Sequence, residues 1–271
     1  MTAAGHPLPQ RPGRSSRSAV FFGASALLFA ASAAATIVGC RSMASMGGMP
    51  MPGGWTLSMA WMRMPGQGWI DAAASFLGMW TVMMVAMMLP PLLPMLWRYR
   101  RAVGRTGTAR LGRLTAQAGA AYFLVWIAFG AALFPPGAAL AAIAMAHSAL
   151  ARALPLAAGA IVAIAGAAQF TAWKARRLAC CREAPARGRA LPADAATAWR
   201  HGLRLGMHCC VCCAGPSAIL LALGVMDLRA MAAVAVAISA ERLAPAGERV
   251  ARATGAVAVA AGLWLIARAL G

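Results

Sequence analysis

Apolar residues run along this chain in blocks separated by short stretches rich in arginine, glycine and proline. The blocks are roughly 20 residues long, the length an α-helix needs to cross a hydrocarbon layer of about 30 Å. They predict an all-α protein, a polytopic bundle of about seven transmembrane helices at 19–39, 72–97, 114–134, 155–173, 204–225, 229–245 and 251–270. The apolar stretch 137–153, after Pro135 and Pro136, is short. Counting it as a crossing would carry Lys174, Arg176, Arg177 and Arg182 to the outside. The excess of cations normally found in cytoplasmic loops opposes that, so 137–153 is expected to be an external interfacial helix.

The remaining segments show no helical period. Residues 1–18 carry Arg11, Arg14 and Arg17 among Pro and Gly, the pattern of a disordered basic cytoplasmic tail. Residues 40–71 form a Gly, Pro and Met loop, read as flexible and extracytoplasmic. A rival reading exists at its edge, where Ile37-Val38-Gly39-Cys40 resembles a lipoprotein signal with lipidation of Cys40 after cleavage. Residues 72–271 then form a six-span membrane domain.

Composition narrows the function. Hydrophobic residues make up 61% of the chain and charged residues 11%, against about 25% charged in soluble domains, which excludes a soluble enzyme. The formal charge of +19 invites a nucleic-acid partner. The cations, however, lie in short connections between apolar blocks, so no nucleic acid is expected and the partner is the lipid bilayer. With the N-terminus in and the C-terminus out, all of the 25 Lys and Arg residues except Arg41, Arg63, Arg152, Arg229 and Arg268 face the cytoplasm. No phosphate-binding glycine loop, Ser/His/Asp set or paired catalytic carboxylates occur in the spans, so the chain is not read as an enzyme.

Sulfur carries the candidate chemistry. In His208-Cys209-Cys210-Val211-Cys212-Cys213 the thiols of Cys209, Cys212 and Cys213 fall at i, i+3 and i+4, on one helix face. Three convergent thiols suit a soft ion, Cu(I) first and Zn(II) second, although cysteine is also a good residue for close helix packing. Methionine is the second signal. In the second span Met79, Met83 and Met87 recur every four residues, with Met84 and Met88 beside them. Thioethers can hold or pass Cu(I) without burying a charge, and equally they can fill a core. Both sulfur sets fall in the inner half of the bilayer. The loop methionines Met43, Met46, Met49 and Met51 are candidates for collecting metal, and Cys180, Cys181, Cys210, His208 and Glu241 are secondary candidates. Glu241 is costly at membrane depth and is either functional or paired with Arg242 or another arginine. Gln169 and Thr171 read as polar contacts between helices.

Met79-Trp80, Met83-Met84, Ala86-Met87-Met88 and Pro90, then Lys174, Leu178, Cys181-Arg182, Gly202, Cys209, Cys212-Cys213, Glu241 and Pro245, in this order, resemble the bacterial predicted metal-binding integral membrane proteins (domain of unknown function 2182). The resemblance runs over about 72–270. Two positions depart from the pattern: Arg177 stands where a first cysteine is expected, and Val211 where glycine is usual, beside the additional Cys210. The resemblance implies a multi-pass protein of the bacterial inner membrane that binds metal. Together with the sulfur pattern it leads to the expectation of a soft-metal protein, copper favoured, for transport, delivery or homeostasis. A metal chaperone or a cuproprotein is then the partner. The rivals are a structural or assembly partner in the membrane, whose sulfurs only pack helices, and a thiol-redox membrane subunit.

Overall fold

The computed structural model describes residues 14–271 except 46, 65, 105–106 and 184–189. Among the described residues the chain forms α1 (Arg14–Ser45), α2 (Trp69–Val103), α3 (Thr108–Ala146), α4 (Ser148–Ala168), α5 (Ala172–Glu183), α6 (Ala195–Cys212), α7 (Ala214–Leu223), α8 (Leu228–Leu243) and α9 (Gly247–Leu270). Between α1 and α2, β1 (Met49–Met51) and β2 (Trp55–Leu57) pair antiparallel with Met49 opposite Leu57, and a 3-10 turn follows at Met59–Trp61.

The all-α class holds, with a different division of the chain. By length and composition, α1, α2, α3, α4 and α9 could cross a membrane, and α6 with α7, bent by 61° at a break, would make a sixth crossing if taken as one broken span. The expected span 229–245 is α8, which has 16 residues, short of the roughly 20 of a full crossing. Helix α1 begins at Arg14, inside the stretch expected to be a disordered tail; residues 1–13 lie outside the described residues. The loop 40–71 is largely structured, because α1 continues to Ser45 and the hairpin and 3-10 turn fill its middle.

The interfacial helix expected at 137–153 is not a separate element. Helix α3 runs through Pro135 and Pro136 to Ala146, and α4 starts at Ser148. Proline costs a helix its hydrogen bonds, but tertiary contacts outweigh that cost here. Ala138, Ala141 and Ala144 are buried, and a side chain added at Gly137 would run into the Trp61 ring. Pro155 likewise sits inside α4 and cannot bond the carbonyl of Ala151; the indole of Trp55 in the hairpin donates to that carbonyl at 2.8 Å.

Glycines set how near the helices come. On α6 a Cβ at Gly206 would lie 2.9 Å from the Tyr122 carbonyl, and one at Gly202 would collide with the Ala118 carbonyl. Helix α6 therefore rests directly on the backbone of α3, the small-residue packing common between apolar helices. Helices α4 and α9 meet in the same way, with Gly159 and Gly166 against Gly262 and Gly255. In the core, the Trp80 indole on α2 donates to the Trp126 carbonyl on α3 at 2.8 Å, and a Cβ at Gly130 would strike its ring.

Replacement of Gly206 by leucine is expected to cost about 1–3 kcal/mol or more through overpacking. Gly112→Ala, inside α3 at a site with open space around it, should leave the thermal unfolding midpoint of the detergent-solubilised protein unchanged or slightly raised. Equal midpoints for the two variants would show that α6 does not need this close approach.

Candidate metal centre

The site is built around the break between α6 and α7. Pro216 lies in the first turn of α7 and has no N–H to offer the carbonyl of Cys212, four residues earlier. That carbonyl instead accepts from the Lys174 ammonium of α5 at 2.9 Å. Cys213 ends α6 and opens α7, its N–H still bonded to the Cys209 carbonyl at 2.8 Å. The i, i+4 spacing survives the bend, and the sulfurs of Cys209 and Cys213 lie 3.8 Å apart in the buried interior. With metal–sulfur bonds of roughly 2.3 Å, one soft ion can bridge sulfurs up to about 4.6 Å apart.

Cys209 is also the acceptor for two donors from other helices. The Tyr122 hydroxyl of α3 and Nη1 of Arg242 on α8 each reach its sulfur at 2.9 Å. The other terminal nitrogen of Arg242, Nη2, meets the thioether of Met95 on α2 at 3.0 Å. A guanidinium with 5% exposure is thus faced by sulfur on two sides. An unpaired buried charge is costly, and the Cys209 sulfur is the acceptor placed against Arg242.

Glu241, next to Arg242 in sequence, belongs to a different pair. Successive residues on a helix do not face each other. The Glu241 carboxylate therefore turns to Lys174, at 2.8 Å, and its other oxygen accepts from Gln169 at 3.0 Å and Thr254 at 2.9 Å. The alternative of a Glu241–Arg242 ion pair is replaced by this Lys174–Glu241 bridge. Gln169 is a contact between helices, as its place in the sequence suggests; Thr171 is exposed and bonds locally to Ala168.

The adjacent thiols Cys180 and Cys181 part company, since they point in different directions from α5. Cys180 is exposed. Cys181 is buried, donates to the His208 carbonyl at 3.3 Å and is in hydrogen-bond contact with Cys212, which also reaches Cys213. The hydrogen bond to Cys212, with burial behind it, holds the Cys181 thiol well above its ordinary pKa. Cys181 thus joins Cys209, Cys212 and Cys213, whereas Cys210 and the His208 ring are half-buried and make no hydrogen bond to the cluster. As it stands, no group of three His, Cys, Asp or Glu side chains among the described residues is arranged to hold a metal ion. The pair Cys209–Cys213 is the soft-donor set that the geometry offers, with the Met95 thioether on the other terminal nitrogen of Arg242.

Of the second-span methionines, Met83, Met84, Met87 and Met88 are buried in the core and Met79 is half-buried. Met79 lines a cavity of about 370 Å³ at the far end of α2, together with Met43, Met59, Met62, Met64 and Met226. Of the loop candidates only Met43 lies there. Met51 is buried in a small apolar cluster with Leu57, Ala141, Ala144 and Ala151, Met49 is exposed, and Met46 lies outside the described residues. Met95, Arg242, Lys174 and Tyr122 were not anticipated as site residues. Met95 had a legible signal, because it continues the four-residue repeat of Met79, Met83 and Met87 across Pro91.

The buried bundle thus brings the Cys209 thiol and the Met95 thioether onto the two terminal nitrogens of Arg242. A family model described as copper chaperone (PpoB2) matches residues 77–265, and the chain belongs to that family. No curated protein and no solved structure matches it.

Glu241→Leu should lower stability by about 3–5 kcal/mol by leaving the Lys174 ammonium buried without its counter-charge. Adding Lys174→Met should restore part of the loss in thermal unfolding, the Cys212 carbonyl remaining without its donor. A double variant no better than the single one would mean that the pair is not what Lys174 needs.

Proposed function

We propose that the protein is a multi-pass protein of the bacterial inner membrane that takes up Cu(I) as its cargo and passes it to a cuproprotein or metal chaperone. The apolar helices and the concentration of arginines in alternate connections support that location. In this reading the N-terminus lies inside and the C-terminus outside, with α8 as a short return. Helix α5 and the thiol end then face the cytoplasm, and the hairpin and methionine cavity face the other side. The membrane-protein family with domain of unknown function 2182, which the sequence resembles, fits the same architecture.

The observation that carries the reading is the buried set Cys209, Cys213 and Met95 around Arg242. Thiolate and thioether are soft donors that select Cu(I), whereas Zn(II) takes four N, O or thiolate ligands and has no use for a thioether. Two thiolates around one Cu(I) carry a net single negative charge, which the Arg242 guanidinium balances inside a site that water does not reach. The methionine cavity offers a collecting point for the ion. Met79, Met83 and Met87 follow one another on one face of α2 at about 6 Å per step, and Met95 stands about 12 Å beyond Met87. Such a line of neutral donors leads from one sulfur group to the other. In this scheme nothing is converted, so the role is delivery rather than catalysis.

The test is copper content. The detergent-purified protein, loaded with Cu(I) and passed through gel filtration, is expected to retain it, with sulfur scattering in X-ray absorption. Cys209→Ser with Cys213→Ser should remove most of the bound copper. Met59→Leu with Met62→Leu should slow loading and leave the final copper content near that of the parent protein. Unchanged copper in the double cysteine variant would refute the site.

A further inference from the structure

Helix α1 packs along α2, and an open groove of about 600 Å³ is left between these two helices and α3. Helix α3 lines it with Gly112, Ala116, Gly119 and Ala120, which fall at i, i+4, i+7 and i+8 on one face. These small residues have drawn no neighbouring helix in. A Cβ at Gly112 would meet nothing within 4 Å, and one at Gly119 only the tip of Leu96 at 3.9 Å, whereas Gly202 and Gly206 abut the backbone of α3. Leu89, Leu92 and Leu96 of α2 form the opposite wall. Val20 and Leu28 of α1 form an outer rim, 73% and 51% exposed.

One end of this apolar groove is charged. Arg100 lines it, with its guanidinium 4.9 Å from the centre of the Phe21 ring and 3.4 Å from the Thr115 hydroxyl. A ring and a hydroxyl hold the cation in place and leave its charge uncancelled. No carboxylate lines the groove, and none pairs with Arg100 among the described residues. From Leu89 to Arg100 the groove follows α2 for about 17 Å, close to half of a hydrocarbon core of about 30 Å. Its cross-section is then about 35 Å². That is room for acyl chains and too little for another transmembrane helix, about 10–12 Å across with its side chains.

We infer that this groove seats a phospholipid with an anionic headgroup, its acyl part along Leu89, Leu92 and Leu96 and its phosphate at Arg100. The inference rests on the membrane location proposed above and is independent of copper. The length matches one leaflet, and the charged end lies where α2 runs into the arginine-rich connection on the side read as cytoplasmic. Basic positions between helices at that surface recognise anionic headgroups, and a guanidinium matches phosphate oxygens. The seated lipid fills the gap between α1 and α3 and so supplies the contact that these two helices lack.

The experiment is native mass spectrometry of the full-length protein. It is first reconstituted in nanodiscs of equal phosphatidylglycerol and phosphatidylcholine with identical acyl chains, then released into a neutral detergent. One phosphatidylglycerol per chain is expected to stay bound, favoured about fivefold over phosphatidylcholine. Arg100→Gln should bring the two lipids level, and Arg101→Gln, at an exposed position outside the groove, should keep the preference. Ala120→Phe, at an exposed position on the groove wall, should reduce retention of both lipids. No retained lipid, no preference in the parent protein, a preference that survives Arg100→Gln, or retention indifferent to Ala120→Phe would each overturn the site. A two-chain species that Ala120→Phe breaks apart would make a second copy the occupant and overturn it as well. Cell fractionation separates the two readings. Recovery of the protein in the soluble fraction would sink the membrane location and the groove with it, whereas recovery in membranes without retained phosphatidylglycerol would sink the groove alone.

Discussion

One ammonium group fixes the geometry of the thiol end. Lys174 lies 2.8 Å from the Glu241 carboxylate and 2.9 Å from the Cys212 carbonyl that Pro216 leaves without a helical partner. The two needs meet in one place, because a buried cation requires an anion and a buried carbonyl requires a donor. Without Lys174 the break in the helix would carry an unsatisfied oxygen, and Glu241 would carry an unpaired charge. The bend that sets Cys213 against Cys209 is therefore supported from α5 and α8, not only from the helix in which the cysteines lie.

The second cation has the opposite kind of company. Arg242 is surrounded by sulfur, with Tyr122 completing the shell around Cys209. This arrangement depends on the near contact of α6 with α3, where Gly202 and Gly206 remove the side chains that would hold the two backbones apart. Small residues, a proline break and two buried cations act together, and each would be a liability alone. The family's description points to copper, and the packing accounts for where soft donors are found.

The helical class and the approach of Cys213 to Cys209 were legible in the sequence, because apolar blocks and i, i+4 spacing are local properties. Pro216 was an equally local sign of the break, four residues after Cys212, and it explains why the stretch 204–225 is two helices. The partners of the cations were not legible. Adjacent residues such as Glu241 and Arg242 suggest an ion pair on paper, yet a helix turns them apart, and their true partners lie on α5, α2 and α6. The adjacent pair Cys180–Cys181 hid the same fact, since only one of two neighbours can face inward. Helix ends were misjudged at Pro135 and Pro155, where contacts from Trp61 and Trp55, far away in sequence, compensate the loss of helical hydrogen bonds.

The bond from Trp55 to the Ala151 carbonyl has a consequence for the other end of the molecule. It fastens the hairpin to α4 just before the chain presents Met59, Met62 and Met64, so these thioethers stand on an anchored wall and not on a loose tether. A tether sweeps a large volume but must surrender that freedom whenever it closes on an ion. An anchored cup has a small capture radius and little order left to lose, which would suit the proposed capture and release of an ion.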